Sequence, residues 1–335
     1  MSKPTLGITM GDPAGIGPEV IAKALVHPKV FETCCPLVLG DVELMQKAAD
    51  TLGTGQVVRR VSTPAEASYM HGQISVIQVG AAPVDAIELG KLSAVAGRVG
   101  VEAVKLAVRL AESNQIAAIV TAPLNKEAIA LAGYPYPGHT EILGELTGKR
   151  AVMLLVTQQL RVVHVSTHVS LRRAIELVTP ETVLDTIRLA QRAASDFGIQ
   201  NPRIAVAGLN PHAGESGRFG NEEIESIEPA IKLAQQEGLR VYGPISPDTL
   251  YWRASHGEFE IAVAMYHDQG HIPVKLTGFD DGINVTIGLP IIRTSVDHGT
   301  AFDIAGRGIA RENSMLQAIR VALQLVSARQ ARQEV

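Results

Sequence analysis

The chain has 335 residues, 46% hydrophobic and 19% charged, which is ample for a packed core and too apolar for disorder. A net charge of −4 and only 4% aromatic residues supply neither the positive field nor the stacking platforms that nucleic acid or an anionic membrane surface would need. The longest apolar runs, such as 116–120 and 151–156, are far too short to cross a bilayer. Gly11-Asp12-Pro13 comes too early to leave room for the apolar core of a signal peptide. Cys34 and Cys35 are adjacent, poor geometry for a mutual disulfide, so a reducing, cytoplasmic setting is expected.

In chain order, a buried strand is expected at 6–10, running into a glycine-rich turn, with Pro18 suited to the first turn of the helix that follows. Further buried strands are expected at 36–40, 74–79, 116–121, 151–157, 161–166, 203–208 and 261–266. Val99, Ala103, Leu106 and Leu110 recur along one face of a helix, and 181–194 and 313–326 also look helical. This alternation predicts an α/β fold with a largely parallel sheet covered on both faces. The length suggests about two domains, and no flexible linker separates them.

Several motifs carry chemistry. The opening Gly11-Asp12-Pro13-Ala14-Gly15-Ile16-Gly17-Pro18-Glu19 resembles an anion-binding strand–turn–helix, but has neither a Gly-Lys-Ser/Thr ending nor a GxGxxG; a purely structural turn fits it equally. Of the ten histidines, His27, His71 and His256 lie in polar surroundings. The other seven sit at strand ends or in Gly/Pro-rich turns, where α/β proteins place ligands. His168, His212 and His267 each follow an apolar strand; together they suit a divalent metal with one open position, although ordinary hydrogen-bonded histidines fit the same spacing. His164 and His168, four apart in an extended strand, would be about 13 Å apart and could not share a metal. Gly270 and Pro273 argue against the helix that a His267/His271 pair would need.

His139 and Thr140 open a predicted helix after Gly138, and Lys275, Asn284 and Arg293 fall at predicted strand ends. An imidazole, a hydroxyl, free helix N–H groups, an amide and two cations are what a phosphate monoester dianion requires; Lys275 and Arg293 read equally well as surface charges. In the segment 297–308, His298, Gly299 and Thr300 permit close backbone approach and Asp303 could bond a ribose, a hint of an adenosine-type ligand.

The motifs GDPAGIGPE (11–19), PGHTE (137–141), STH (166–168), NPHAGE (210–215), MYHDQG (265–270) and GINVTIGLPIIRTSVDHGTAFDIAG (282–306) resemble, in order and over nearly the whole chain, the 4-hydroxythreonine-4-phosphate dehydrogenase family of vitamin B6 (pyridoxine) biosynthesis. Residues 11–19 and 298–308 also resemble segments of the isocitrate and isopropylmalate dehydrogenases. That likeness implies a two-domain α/β/α homodimer, here 1–135 with 296–335 and 136–295, with the active cleft between domains. It makes NAD, or NADP, plausible without a Rossmann fingerprint, with His298, Gly299, Thr300 and Asp303 as cofactor contacts.

Carried over residue by residue, the resemblance makes His168, His212 and His267 ligands of a divalent metal (zinc, magnesium, manganese or cobalt), His267 reaching it from the partner subunit. His139, Thr140, Lys275, Asn284 and Arg293 match substrate-binding positions. The segments 121–127, 164–168 and 270–275 look closer to the paralogues that oxidise 4-phospho-D-threonate or 4-phospho-D-erythronate than to the vitamin B6 enzyme. The implied reaction is oxidation at C3 with decarboxylation, with Asp248, Asp268 and Lys275 as candidate bases. A cis-dihydrodiol dehydrogenase of the same family is disfavoured by the retained phosphate positions. A metal-dependent hydrolase or a phosphosugar-binding regulator would be rivals of another class.

Overall fold

The computed structural model describes residues 3–80, 86–279 and 281–333. The chain forms two compact units: Met1–Ala151 with Gly288–Ser327, and Val152–Ile287 with Ala328–Val335. Its strands are, in order, β1 (Thr5–Thr9), β2 (Cys35–Gly40), β3 (Val57–Val61), β4 (Gln73–Gln78) and β5 (Ala118–Thr121). Then come β6 (Val152–Val156), β7 (Arg161–His164), β8 (Ile204–Ala207), β9 (Val241–Ile245), β10 (Ile261–Ala264), β11 (Ile283–Ile287) and β12 (Arg293–Val296).

In the first unit the order is β3-β4-β2-β1-β5-β12, and every pairing is parallel. Parallel strands need crossovers, and the intervening helices bury the sheet on both faces, which explains the unbroken apolar runs. Leu37, Leu39 and Ile119 pack with Val101, Val104 and Val108 of the helix Ala94–Glu112. The expected spacing 99-103-106-110 lies within that helix, and the Ser93 hydroxyl caps it by accepting the Ala96 N–H at 3.3 Å.

The second unit runs β11-β6-β7-β10-β8-β9. Strands β7, β10, β8 and β9 are parallel, while β6 is antiparallel to both β7 and β11. The short link from β6 to β7, closed by Thr157 N–H donating to Leu160 O at 2.9 Å, leaves no room for a crossover and so forces the reversal. Val162, Ala205 and Ala262 pack here with Leu250, Tyr251 and Val274.

All eight expected strands are present. Four more were not anticipated: β3, whose Arg59 and Arg60 are exposed; β9, which carries Gly243 and Pro244; and the short β11 and β12. Among the described residues no helix is long and apolar enough to cross a membrane.

The expectation against a helix at 267–277 is overturned, and Lys275, expected at a strand end, lies in its last turn. His267–Thr277 is a helix despite Gly270 and Pro273. Pro273 is its seventh residue, so the helix forgoes one interior N–H, and Val274 anchors the segment in the core. Gly270 serves packing: a Cβ there would lie 2.2 Å from Nε2 of His164.

Candidate functional site

Strands β7, β10 and β8 are parallel neighbours, so their C-terminal ends share one edge, where α/β sheets bind ligands. The segments bearing His168, His267 and His212 leave from those ends, His267 opening the helix that follows β10. His164 closes β7 beside Ala264 of β10, and the rings of His168 and His267 come within 5.8 Å. His271 stacks on His267 at 3.5 Å between centroids and lies 4.8 Å from His164.

The extended strand assumed between His164 and His168 is not formed, because β7 ends at His164 and the chain bends at Val165. His164 is buried and neither ring nitrogen has a hydrogen-bond partner; burial first, then His271, His267 and His168, push it down to about 3. It is a neutral imidazole.

The Nδ1 of His267 donates to Asp268 Oδ1 at 2.7 Å, which leaves Nε2 as the ring's lone-pair nitrogen, the arrangement that suits a metal ligand. His271 Nδ1 donates to the backbone carbonyl of His267 at 2.9 Å. His212 stands apart from this cluster's ring contacts, with Nδ1 3.8 Å from Asp248 Oδ2. Two of the three candidate bases, Asp268 and Asp248, thus lie at ring nitrogens of expected metal ligands. Among the described residues no three His, Cys, Asp or Glu side chains of one chain are gathered to hold a metal. A single chain does not by itself fit one.

His212 projects from a strained turn. His212, Ala213, Glu215 and Ser216 all have positive φ, between 44° and 57°. The turn is tied down by Glu223, a buried residue opening a π-helical turn at Glu223–Ile227. Its Oε1 accepts the Leu209 and Asn210 N–H groups, each at 2.7 Å, and its Oε2 accepts Asn210 Nδ2 at 2.9 Å. Sequence reasoning missed Glu223; no spacing or pattern marks it.

Lys275 and Asn284 also belong to the second unit. Lys275 lies in the last turn of the helix His267–Thr277, its Nζ 5.7 Å from the Phe279 ring centroid. Asn284 pairs with Leu155 across β11 and β6, and its Oδ1 is buried without a hydrogen-bond partner.

The first unit holds His139, Thr140 and Arg293. His139 and Thr140 open the helix His139–Thr147, as expected; its N-cap is Gly138, which offers no side-chain cap. The Nε2 of His139 is buried with no hydrogen-bond partner. Burial, followed by the positive charge of Arg293, holds His139 well below the usual histidine range. Arg293 is no surface charge: it is 2% exposed, and burial lowers its guanidinium to about 9. Helix N-terminal N–H groups, an unpartnered imidazole nitrogen and a buried guanidinium are the kinds of group that an anion site uses.

The first and last motifs are joined within the same unit. Ile16 N–H donates to Thr300 O at 3.0 Å, and a Cβ on Gly15 would lie 2.7 Å from that oxygen. The Glu19 carboxylate accepts the N–H groups of Gly306 and Gly308. Along this loop Gly299 and Asp303 are exposed, Thr300 is half-buried, and His298 donates from Nδ1 to Gly299 O at 3.0 Å. The Nε2 of His298 is buried with no partner.

The profile of the pyridoxal phosphate biosynthetic protein PdxA matches residues 32–322. The chain is 50% identical over 328 residues to the D-threonate 4-phosphate dehydrogenase of Cupriavidus necator, spanning 97% of this chain and 98% of that protein. It is similar to the crystal structure of a 4-hydroxythreonine-4-phosphate dehydrogenase from Burkholderia phymatum: TM-score 0.85, 50% identity, 97% of this chain and 99% of that one. A beta-decarboxylating dehydrogenase from Thermococcus kodakarensis shares the fold, with TM-score 0.51, 15% identity and coverage of 97% and 84%. With a family match across most of its length and half its residues shared with a full-length relative, the chain belongs to the PdxA family.

Proposed function

We propose that the protein is an NAD(P)-dependent dehydrogenase that oxidises the C3 hydroxyl of a 4-phosphorylated hydroxy acid, whose carboxylate then leaves as carbon dioxide. The substrates are 4-phospho-D-threonate or 4-phospho-D-erythronate, with 4-hydroxy-L-threonine 4-phosphate as the other member of the class. The observation that carries this reading is buried Arg293, close enough for its charge to act on His139, together with the unpartnered Nε2 of His139 at the N-terminus of the helix His139–Thr147. A planar cationic fork and a neutral imidazole, both withdrawn from water, suit a phosphate oxygen better than a surface cation pair would. The named activity of the Cupriavidus necator relative supports the same substrate class.

In this reading Thr140, Lys275 and Asn284 complete the substrate contacts, and His298, Gly299, Thr300 and Asp303 hold the cofactor, which takes the C3 hydride. His168 and His212 of one copy and His267 of a second would hold a divalent metal (zinc, magnesium, manganese or cobalt), which supplies Lewis-acid chemistry to the substrate's hydroxyl and carboxylate. The active homodimer is supported by the exposed apolar side chains Ile272, Leu276 and Phe279, on and just after the helix that carries His267. Asp248, Asp268 and Lys275 are the candidates for taking the hydroxyl proton; Asp268 and Asp248 each lie beside a histidine.

Replacing Arg293 with Lys tests the phosphate anchor. The variant keeps a charge but loses the planar fork, and should weaken the phosphorylated substrate by roughly 1–3 kcal/mol. A non-phosphorylated analogue should be affected far less. Equal losses with both compounds would make Arg293 structural and remove the basis of the reading.

A further inference from the structure

We infer that Thr121 is a positioning residue that sets the Arg293 guanidinium for a phosphate dianion, an inference that rests on the phosphate reading above. Strands β5 and β12 are parallel neighbours in which Arg293 pairs with Ile119. Thr121 lies two residues further along β5, on the same face as Ile119 because side chains alternate. The arginine side chain therefore runs forward along the sheet to the C-terminal end of β5, where ligands of α/β sheets gather. There the Thr121 Oγ1 accepts from Arg293 Nε at 3.1 Å and from Nη2 at 2.6 Å.

One oxygen engaged by two nitrogens of the same planar group holds that edge of the guanidinium against the end of β5. Thr121 has no exposed surface and sits on a paired strand, so its β-branched side chain has little freedom to follow a moving guanidinium. The chemistry of the acceptor matters as much as its place. A carboxylate here would orient Arg293 and also cancel its charge, repelling a dianion. A hydroxyl orients the fork without adding a negative charge where the dianion would bind.

The test uses the full-length protein and inorganic phosphate as the probe, alongside steady-state kinetics. In Thr121→Val, which keeps the shape and removes the acceptor, the Kd for phosphate and the KM for the phosphorylated acid should each rise about tenfold, with a much smaller change in kcat. Thr121→Ser, which restores the oxygen, should recover most of both losses. A folded Thr121→Val protein with wild-type phosphate affinity would overturn the inference. So would a serine variant as impaired as the valine one, since the methyl group and not the oxygen would then be what matters. Should the valine variant misfold, the serine variant alone decides, by holding or losing phosphate affinity. Arg293→Lys separates the two levels: if it weakens phosphate while Thr121→Val does not, only the positioning role falls. If neither weakens it, the phosphate reading falls with it.

Discussion

The Glu223 carboxylate accepts the backbone N–H of Asn210 at 2.7 Å and thereby anchors the turn from which His212 projects. Glu223 is buried and satisfies two amide N–H groups and the Asn210 side chain at once. Removing it as Glu223→Ala leaves the partly buried N–H groups of Leu209 and Asn210 without their acceptor, while Asn210 Nδ2 keeps Glu222, around a backbone already strained at four residues. A loss of about 3 kcal/mol is expected in urea unfolding, and Glu223→Gln, which keeps one acceptor oxygen, should lose less. Activity should fall further than stability in both. An unfolding midpoint unchanged in Glu223→Ala would refute the anchoring role.

His164 makes stability depend on pH with a definite sign. Its ordinary value of 6.5 drops to about 3 in the fold, so between those values the unfolded chain binds a proton that the folded chain refuses. Stability therefore falls as pH falls, by about 1.4 kcal/mol per pH unit for one proton fully transferred. His139, also lowered, acts in the same direction. Asp12 opposes them: burial raises it from 3.8 to about 6, so its contribution falls as pH rises through that range. His164→Leu removes two unpartnered nitrogens and should flatten the fall in stability between pH 6.5 and pH 5, compared by urea unfolding. An unchanged slope would contradict the assignment of a buried neutral imidazole.

If His267 completes the site of a second copy, two defective chains can repair one another. Mixing His168→Ala and His267→Ala proteins should restore part of the activity, because each hybrid dimer holds one intact site and one doubly damaged one. No recovery after demonstrated subunit exchange would place the whole site within one chain.

Much of this was legible in the residues, and the gaps have identifiable causes. The strands that end at His164 or lead to His212 and His267 were plain because parallel strands buried on both faces leave unbroken apolar runs. β12 was hidden because its first residue, Arg293, is a charged side chain that the fold buries. The helix at His267 was discounted on local propensity, and tertiary packing of Gly270 against His164 decided otherwise. Glu223 and Thr121 could not be seen at all: each acts through a partner distant in sequence, and nothing in its own neighbourhood announces it.

The central claim is tested most directly by following NADH absorbance, or NADPH with the alternative cofactor, in wild-type protein. 4-Phospho-D-threonate, 4-phospho-D-erythronate and 4-hydroxy-L-threonine 4-phosphate would be assayed side by side with their non-phosphorylated counterparts, before and after treatment with a chelator. The account predicts reduced cofactor from at least one phosphorylated acid, little from its non-phosphorylated counterpart, loss of the signal on chelation and its return with added divalent metal. A preference for the non-phosphorylated compounds, or no cofactor reduction with any of the three phosphorylated acids, would contradict it.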